Sequence, residues 1–214
     1  MKLKYKYLLF DMDGTIANTD ELVVQSMFAL YDKYKEGKRR PKEECYYFSG
    51  PPIRETLRKE FPDLDTEMLA KEFVVISKPM YDTLVTPYPY SHEVFMKLKE
   101  AGARLVVVTN KQHDLAEYCL KCIGLDDVFD FVIGSNDVSV GKPNREGIDK
   151  ALAIMGCKDK KEALYLGDNP IDYQTSVNAE IDCLLVTWGP RKLPENIKPK
   201  YLLSDYRDLL EDIL

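Results

Sequence analysis

Apolar residues along this chain fall into two recurring patterns. Short runs rich in β-branched and aromatic residues occupy 5–10, 104–108, 129–133, 163–166, 183–187 and, more weakly, 200–203, as expected of strands buried in a sheet. From residue 104 onward these runs alternate with stretches whose apolar positions recur at helical spacing, 114–123, 145–155 and 172–177. Such alternation predicts βαβ units, and hence an α/β fold with a parallel sheet covered by helices on both faces. Between the first run and the second no strand alternation appears. Instead Leu22, Met27, Leu30 and Tyr34, and then Leu69, Phe73 and Ile76, are spaced as on helices. A structureless loop of that length does not fit inside a compact domain. Residues 17–87 are therefore expected to form a small all-helical insert, bounded by an Ala17-Asn18-Thr19 turn and a Pro87-Tyr88-Pro89 hinge, in a core made of 1–16 and 88–214.

The 214 residues fit one large domain or a core with an insert. A hydrophobic fraction of 45% with 31% charged residues is enough for a packed core. Thirty Lys and Arg against thirty-six Asp and Glu, a net charge of −6, argue against a nucleic-acid partner held through its phosphates. Any anion must bind at a local site. No apolar run approaches the about 18 to 20 residues that cross a bilayer, so no membrane partner is expected. The basic start Met1-Lys2-Leu3-Lys4 is followed only by the short run 7–10 before Asp11, too brief for an export signal. Five cysteines at irregular spacing do not make a disulfide framework. The reading is a cytoplasmic protein with reduced thiols, a monomer or homodimer.

The candidate chemistry lies where strands end. The first run passes straight into Asp11-Met12-Asp13-Gly14-Thr15. Thr109-Asn110 follows the second, Lys142 comes shortly after the third, and Gly167-Asp168 follows the fourth. In open α/β sheets ligands collect beyond the carboxyl ends of the strands, so Asp11, Asp13, Thr109, Lys142 and Asp168 are expected along one rim. Carboxylates crowded together raise each other's pKa unless a cation compensates. Mg²⁺ suits that need: it takes oxygen ligands, commonly one or two carboxylates together with substrate phosphate.

Asp11-Met12-Asp13-Gly14-Thr15, Thr109-Asn110, Lys142-Pro143 and Gly167-Asp168-Asn169-Pro170-Ile171-Asp172 resemble, in order, the four motifs of the haloacid dehalogenase-like hydrolase superfamily. Val108-Thr109-Asn110-Lys111, Gly141-Lys142-Pro143-Asn144 and Val186-Thr187-Trp188-Gly189 are similar in wording to its phosphoglycolate phosphatase-like branch, which carries a helical cap after the first motif. The resemblance implies a Rossmann-like core with residues 17–87 as cap. It implies Asp11 as the nucleophile that forms an aspartyl-phosphate, and Asp13 as general acid and then general base. Thr109 and Lys142 would hold the transferring oxygens, and Asp11, Asp13 (through its carbonyl) and Asp168 would hold Mg²⁺, with Asp172 supporting them from behind. Asn110 would face the substrate. Phe48-Ser49-Gly50-Pro51-Pro52-Ile53-Arg54 resembles the cap's specificity loop, in which Arg54 could clamp a distal carboxylate or second phosphate. The implied activity is Mg²⁺-dependent hydrolysis of a small phosphorylated metabolite such as phosphoglycolate. Inorganic pyrophosphatase, a sugar-phosphate mutase like β-phosphoglucomutase, and a non-catalytic binding module are the alternatives.

Other features read as structural. Cys119-Leu120-Lys121-Cys122 falls inside a helical pattern with no second pair, which suits packing, and His92 and His113 read as surface or capping residues. The run Lys38-Arg39-Arg40-Pro41-Lys42 is flanked by acids and reads as a solvated loop. Glu180 stands where relatives of the branch often have Gly, which makes a left-handed helix end there less expected.

Overall fold

The structure, a computed structural model, describes residues 3–213; Met1 and Lys2 of the basic start lie outside them. Among the described residues a six-stranded parallel sheet forms the core. Its strands are β1 (Tyr7–Phe10), β4 (Arg104–Val108), β5 (Phe131–Ile133), β6 (Ala163–Gly167), β7 (Asp182–Val186) and β8 (Tyr201–Leu203), in the spatial order β5-β4-β1-β6-β7-β8. Register is set by pairs such as Leu8 with Leu105 on one side and Leu8 with Leu164 on the other. The first strand thus lies mid-sheet, and the connections leave it in opposite directions, which opens a crevice at its carboxyl end.

The strands are mostly apolar because successive side chains enter different cores, with Arg104 and Asp182 only at strand starts and Leu202 exposed on the edge strand β8. Leu8, Phe10, Leu105, Val107, Leu164 and Leu166 pack against α6 (Ser91–Glu100), α7 (His113–Cys122) and α10 (Asp208–Ile213). Tyr7, Leu9, Val106, Val108 and Tyr165 meet α8 (Glu146–Ile154) and α9 (Pro170–Ala179) on the opposite face. At the centre of the first core Phe95 is fully buried among Phe10, Phe129 and Tyr206, with ring centroids 4.9, 5.5 and 4.9 Å away. Replacing Phe95 with Ala is expected to cost about 3–5 kcal/mol. Urea unfolding should report it as a lower midpoint at unchanged slope.

Between β1 and β4 the chain forms α1 (Asp20–Tyr34), α2 (Lys42–Cys45), α3 (Ile53–Glu60), α4 (Thr66–Ser77) and α5 (Tyr81–Leu84). Val24, Met27, Leu30, Tyr31, Leu57 and Leu69 give these helices a separate apolar core. The basic loop is ion-paired to their acids: Arg39 to Asp32, Arg40 to Glu44 and Glu60, and Lys42 to Glu21. The margins differ from the expected turn and hinge. Ala17–Asn18 (β2) pairs antiparallel with Thr86–Pro87 (β3), and Tyr88 N donates to Ile16 O at 3.3 Å. The outgoing and returning chains therefore run side by side as a ribbon, a pairing that two-residue segments cannot announce by periodicity. Glu180 does take the left-handed conformation at φ +61, because its N–H closes the end of α9 onto Ser176 O and Val177 O. No helix of the described residues is long and apolar enough to cross a membrane.

Candidate active site

Asp11 is the first residue beyond β1, and its N–H donates to Leu166 O at 2.8 Å, which extends the sheet into the motif. The chain then turns tightly, the Met12 carbonyl accepting from Thr15, Ile16 and Ala17 N–H groups. Gly14 makes the turn possible: its φ is +83, and a Cβ there would stand 2.5 Å from Asp168 Oδ2 and 2.4 Å from Arg191 Nη2. Asp11, Thr109, Lys142 and Asp168, delivered by β1, β4, the segment after β5, and β6, are all buried at one rim.

Lys142 Nζ stands between two carboxylates, 2.8 Å from Asp11 Oδ1 and 2.6 Å from Asp172 Oδ1. Asp11 Oδ1 is held by that ion pair and has no other hydrogen-bond partner. Asp172 is spoken for at both oxygens, since Oδ2 accepts the N–H groups of Asp168 at 3.1 Å and Asn169 at 3.0 Å as part of the capping box that opens α9. Asp168 Oδ1 takes the Thr15 hydroxyl at 3.3 Å, and Oδ2 takes Arg191 Nε at 2.9 Å. Asp13 accepts from Thr19 Oγ1 at 2.7 Å and from Lys111 Nζ at 2.7 and 2.9 Å.

Burial governs the electrostatics. It pushes the Asp11 carboxyl up to about 6 against the pull of Lys142, and the Asp168 carboxyl up to about 8 against that of Arg191. Burial also opposes the charges on Lys142 and Lys111. Their neighbouring carboxylates outweigh it and hold both ammonium groups above their ordinary range. Five carboxylates, Asp11, Asp13, Asp20, Asp168 and Asp172, thus face three cations, Lys111, Lys142 and Arg191. With every carboxyl ionised two negative charges are in surplus, the charge that a divalent cation compensates. Asp11, Asp168 and Asp172 can offer oxygens all within 4.8 Å of one another. Asp172 Oδ1 and Oδ2 accept bonds at 2.6 to 3.1 Å, whereas Asp11 Oδ1 has only its ion pair with Lys142 and Asp168 Oδ1 accepts only the long bond from Thr15 at 3.3 Å, so these two oxygens are the more available to a hard, oxygen-seeking ion.

A cavity of about 130 Å³ lies between this rim and the helical insert, smaller than the pockets that take drug-sized ligands. Asp11, Asp13, Thr109 and Lys111 line its floor, and Ser49, Gly50, Arg54, Phe73 and Tyr81 line its insert side. Arg54 borders the cavity, with its fork on Glu67 at 2.7 and 3.0 Å. Asn110 also borders it, but the side chain serves the protein: Oδ1 accepts Lys142 N–H at 2.8 Å, and Nδ2 donates to Gly50 O and Lys142 O at 3.3 Å. Gly50, at φ +106, lies so close to Asn169 that a Cβ would meet its Nδ2 at 2.5 Å. Lys111, Arg191 and Asp20 were not singled out by sequence motif. The signal for Lys111 was its place directly after Thr109-Asn110, and for Arg191 the stiff Trp188-Gly189-Pro190 segment beyond a strand end. Outside the rim, His113 Nδ1 pairs with Asp137 Oδ2 at 2.6 Å, and Cys119 is buried in the core.

Comparison with known proteins bears on this geometry. The family model for haloacid dehalogenase-like hydrolases matches residues 8–186. The chain is similar to the pyrophosphatase PpaX of Halalkalibacterium halodurans, 34% identical over 208 residues that cover 95% of this chain and 94% of that one. The pyrophosphatase PpaX of Listeria monocytogenes is also 34% identical, over 212 residues covering 97% and 95%. Among solved structures, a predicted phosphoglycolate phosphatase from Haemophilus somnus shares the fold at a TM-score of 0.85, with 20% identity and 98% of each chain covered.

Proposed function

Because this chain belongs to the haloacid dehalogenase-like hydrolase family, we propose that it is a Mg²⁺-dependent phosphatase acting through Asp11, with inorganic pyrophosphate as its substrate. The observation that carries the reaction is Asp11, a buried carboxylate at the floor of a small cavity, ion-paired at 2.8 Å to the buried ammonium of Lys142 behind it. An Asp11 oxygen forms the new bond to phosphorus while the bond to the leaving oxygen breaks, the electron pair going with that oxygen. Lys142 and the Thr109 hydroxyl hold the transferring oxygens. Asp13 gives a proton to the leaving oxygen when the substrate requires one. Ionised, either from the start or after that transfer, Asp13 takes a proton from the water that attacks the aspartyl-phosphate, which releases phosphate and restores Asp11; where it had given none, it passes this proton to the departing phosphate or to solvent. Asp11, Asp168 and the Asp13 carbonyl would hold the Mg²⁺, which when bound supplies charge stabilisation to the phosphoryl oxygens. Residues 17–87 serve as a cap over the core of 1–16 and 88–214, flexing at the β2–β3 ribbon to admit substrate and exclude water.

From the motifs alone phosphoglycolate comes first. Pyrophosphate is favoured by the 34% identical relatives, whose names state that activity, and by the cations around the cavity. A leaving phosphate departs as a stable anion and needs charge neutralised more than a proton delivered. Lys111, bonded to Asp13 and facing the cavity, is placed for that task. Changing Lys111 to Met is expected to lower kcat/KM for pyrophosphate about 100-fold and to affect an aryl phosphate much less. Steady-state kinetics on the two substrates measures the difference. The reaction itself is tested by phosphate release from pyrophosphate, phosphoglycolate, sugar phosphates and an aryl phosphate, with and without Mg²⁺. Preference for phosphoglycolate would overturn the substrate, and metal-independent release would overturn the mechanism.

A further inference from the structure

We propose that Arg191 is a positioning residue that couples the helical insert to the Asp168 carboxylate, so that insert closure and cation binding at the rim favour each other. The inference rests on the phosphatase reading above. Arg191 lies outside any helix or strand, yet its side chain is only 3% exposed. The loop that carries it is fixed by Trp188, whose indole N–H donates to Gly14 O at 3.1 Å and whose ring packs on Tyr88 and Tyr206 at 5.0 and 4.6 Å. From that anchor one edge of the guanidinium faces the core, with Nε 2.9 Å and Nη2 2.7 Å from Asp168 Oδ2. Nη1 faces the insert and donates to Asp20 Oδ1 at 2.5 Å and to Tyr46 O at 2.9 Å.

A guanidinium is one rigid plane. Displacing the insert removes the two acceptors of Nη1 and lets the plane turn, which also moves Nε, the donor to Asp168, and Nη2, its ion-pair contact. With the insert seated, Arg191 fixes Asp168 Oδ2 and leaves Oδ1, held only by Thr15 at 3.3 Å, directed for a cation. Gly14 is what lets the guanidinium approach this closely. Linkage then requires that a ligand which seats the insert tightens the cation, and that the cation tightens the ligand by the same factor.

The test is calorimetric titration of Mg²⁺ into wild type, Asp20→Ala and Arg191→Lys, with and without inorganic phosphate. Asp20→Ala removes one of the two insert-side acceptors of Nη1 and leaves the Tyr46 carbonyl in place. This variant is expected to lose at least about fivefold of the tightening that phosphate confers, read as the ratio of Mg²⁺ affinities with and without phosphate in the same variant. Arg191→Lys keeps the charge but cannot span both partners, and should lose the same tightening. If phosphate tightens Mg²⁺ equally in wild type and both variants, the coupling role is wrong while the phosphatase reading survives. A wild-type protein that takes up no Mg²⁺ in either condition would remove both.

Discussion

Asp11→Asn is expected to lower phosphate release by roughly 10⁴- to 10⁶-fold while making the metal-free protein more stable. The first effect follows from chemistry, since an amide oxygen cannot act as the nucleophile that a carboxylate is. The second follows from burial. Burial holds the Asp11 carboxyl at about 6 even beside Lys142, so at pH 7.5 its charge is a net cost to the fold. Asn has the same shape without the charge, and Lys142 keeps its contact with Asp172. The gain should be about 1–3 kcal/mol, a rise in Tm of roughly 2–8 °C for a chain of this size. Differential scanning calorimetry in EDTA, run beside the phosphate assay, separates this outcome from inactivation by misfolding, in which activity and Tm fall together.

Metal-free protein is also expected to lose stability as the pH rises from 5.5 to 8. Asp168 and Asp11 titrate at about 8 and about 6 in the folded chain, against 3.8 for an ordinary aspartate. Between those limits the folded state retains protons that the unfolded chain has released. Stability therefore falls with rising pH, and the cost of charge burial is complete only above about 8. His113 adds to the slope in the same direction: Asp137 raises its pKa, and the stability this contributes below 6.5 is lost as the pH rises through the folded value. At roughly 1.4 kcal/mol for each pH unit by which a group is displaced, the sum reaches several kcal/mol, or roughly 10 °C in Tm. Millimolar Mg²⁺ should recover most of that loss at pH 8 and little of it at pH 5.5, where the acids are protonated. A Tm that stays level in EDTA from pH 5.5 to 8 would show these carboxylates to be well solvated.

Much of this was legible in the chain. The strands β1, β4, β6 and β7 could be read because burial on both faces demands near-continuous apolar runs, the edge strand β8 with its exposed Leu202 gives only a weak one, and Asp11, Thr109 and Asp168 each follow such a run directly. The pairing of Ala17–Asn18 with Thr86–Pro87 could not be read, since two residues carry no period. Lys111 and Arg191 escaped for a different reason. A single charged residue in a loop usually faces water, and what buries these two is the insert, whose Tyr81, Asp20 and Tyr46 close over them from distant parts of the sequence. Arg54 shows the reverse case, because its place on the cavity wall could be read but its ion pair with Glu67, thirteen residues on, could not.

The position of β1 sets the order in which the molecule can be completed during synthesis. Tyr7–Phe10 leaves the ribosome early, yet its neighbours in the sheet are residues 104–107 and 163–166. At about 5–20 residues per second the second neighbour follows some ten seconds or more later. Until residues 104–107 emerge this apolar segment ending in the reactive aspartate has no strand to pair with, and its other edge stays unpaired until 163–166 follow. The insert, whose apolar core draws only on residues 23–76, is fully translated well before then. Nascent chains stalled before residue 104 should accordingly leave Tyr7–Phe10 open to chaperones and proteases, while chains long enough to expose both 104–108 and 163–167 protect it.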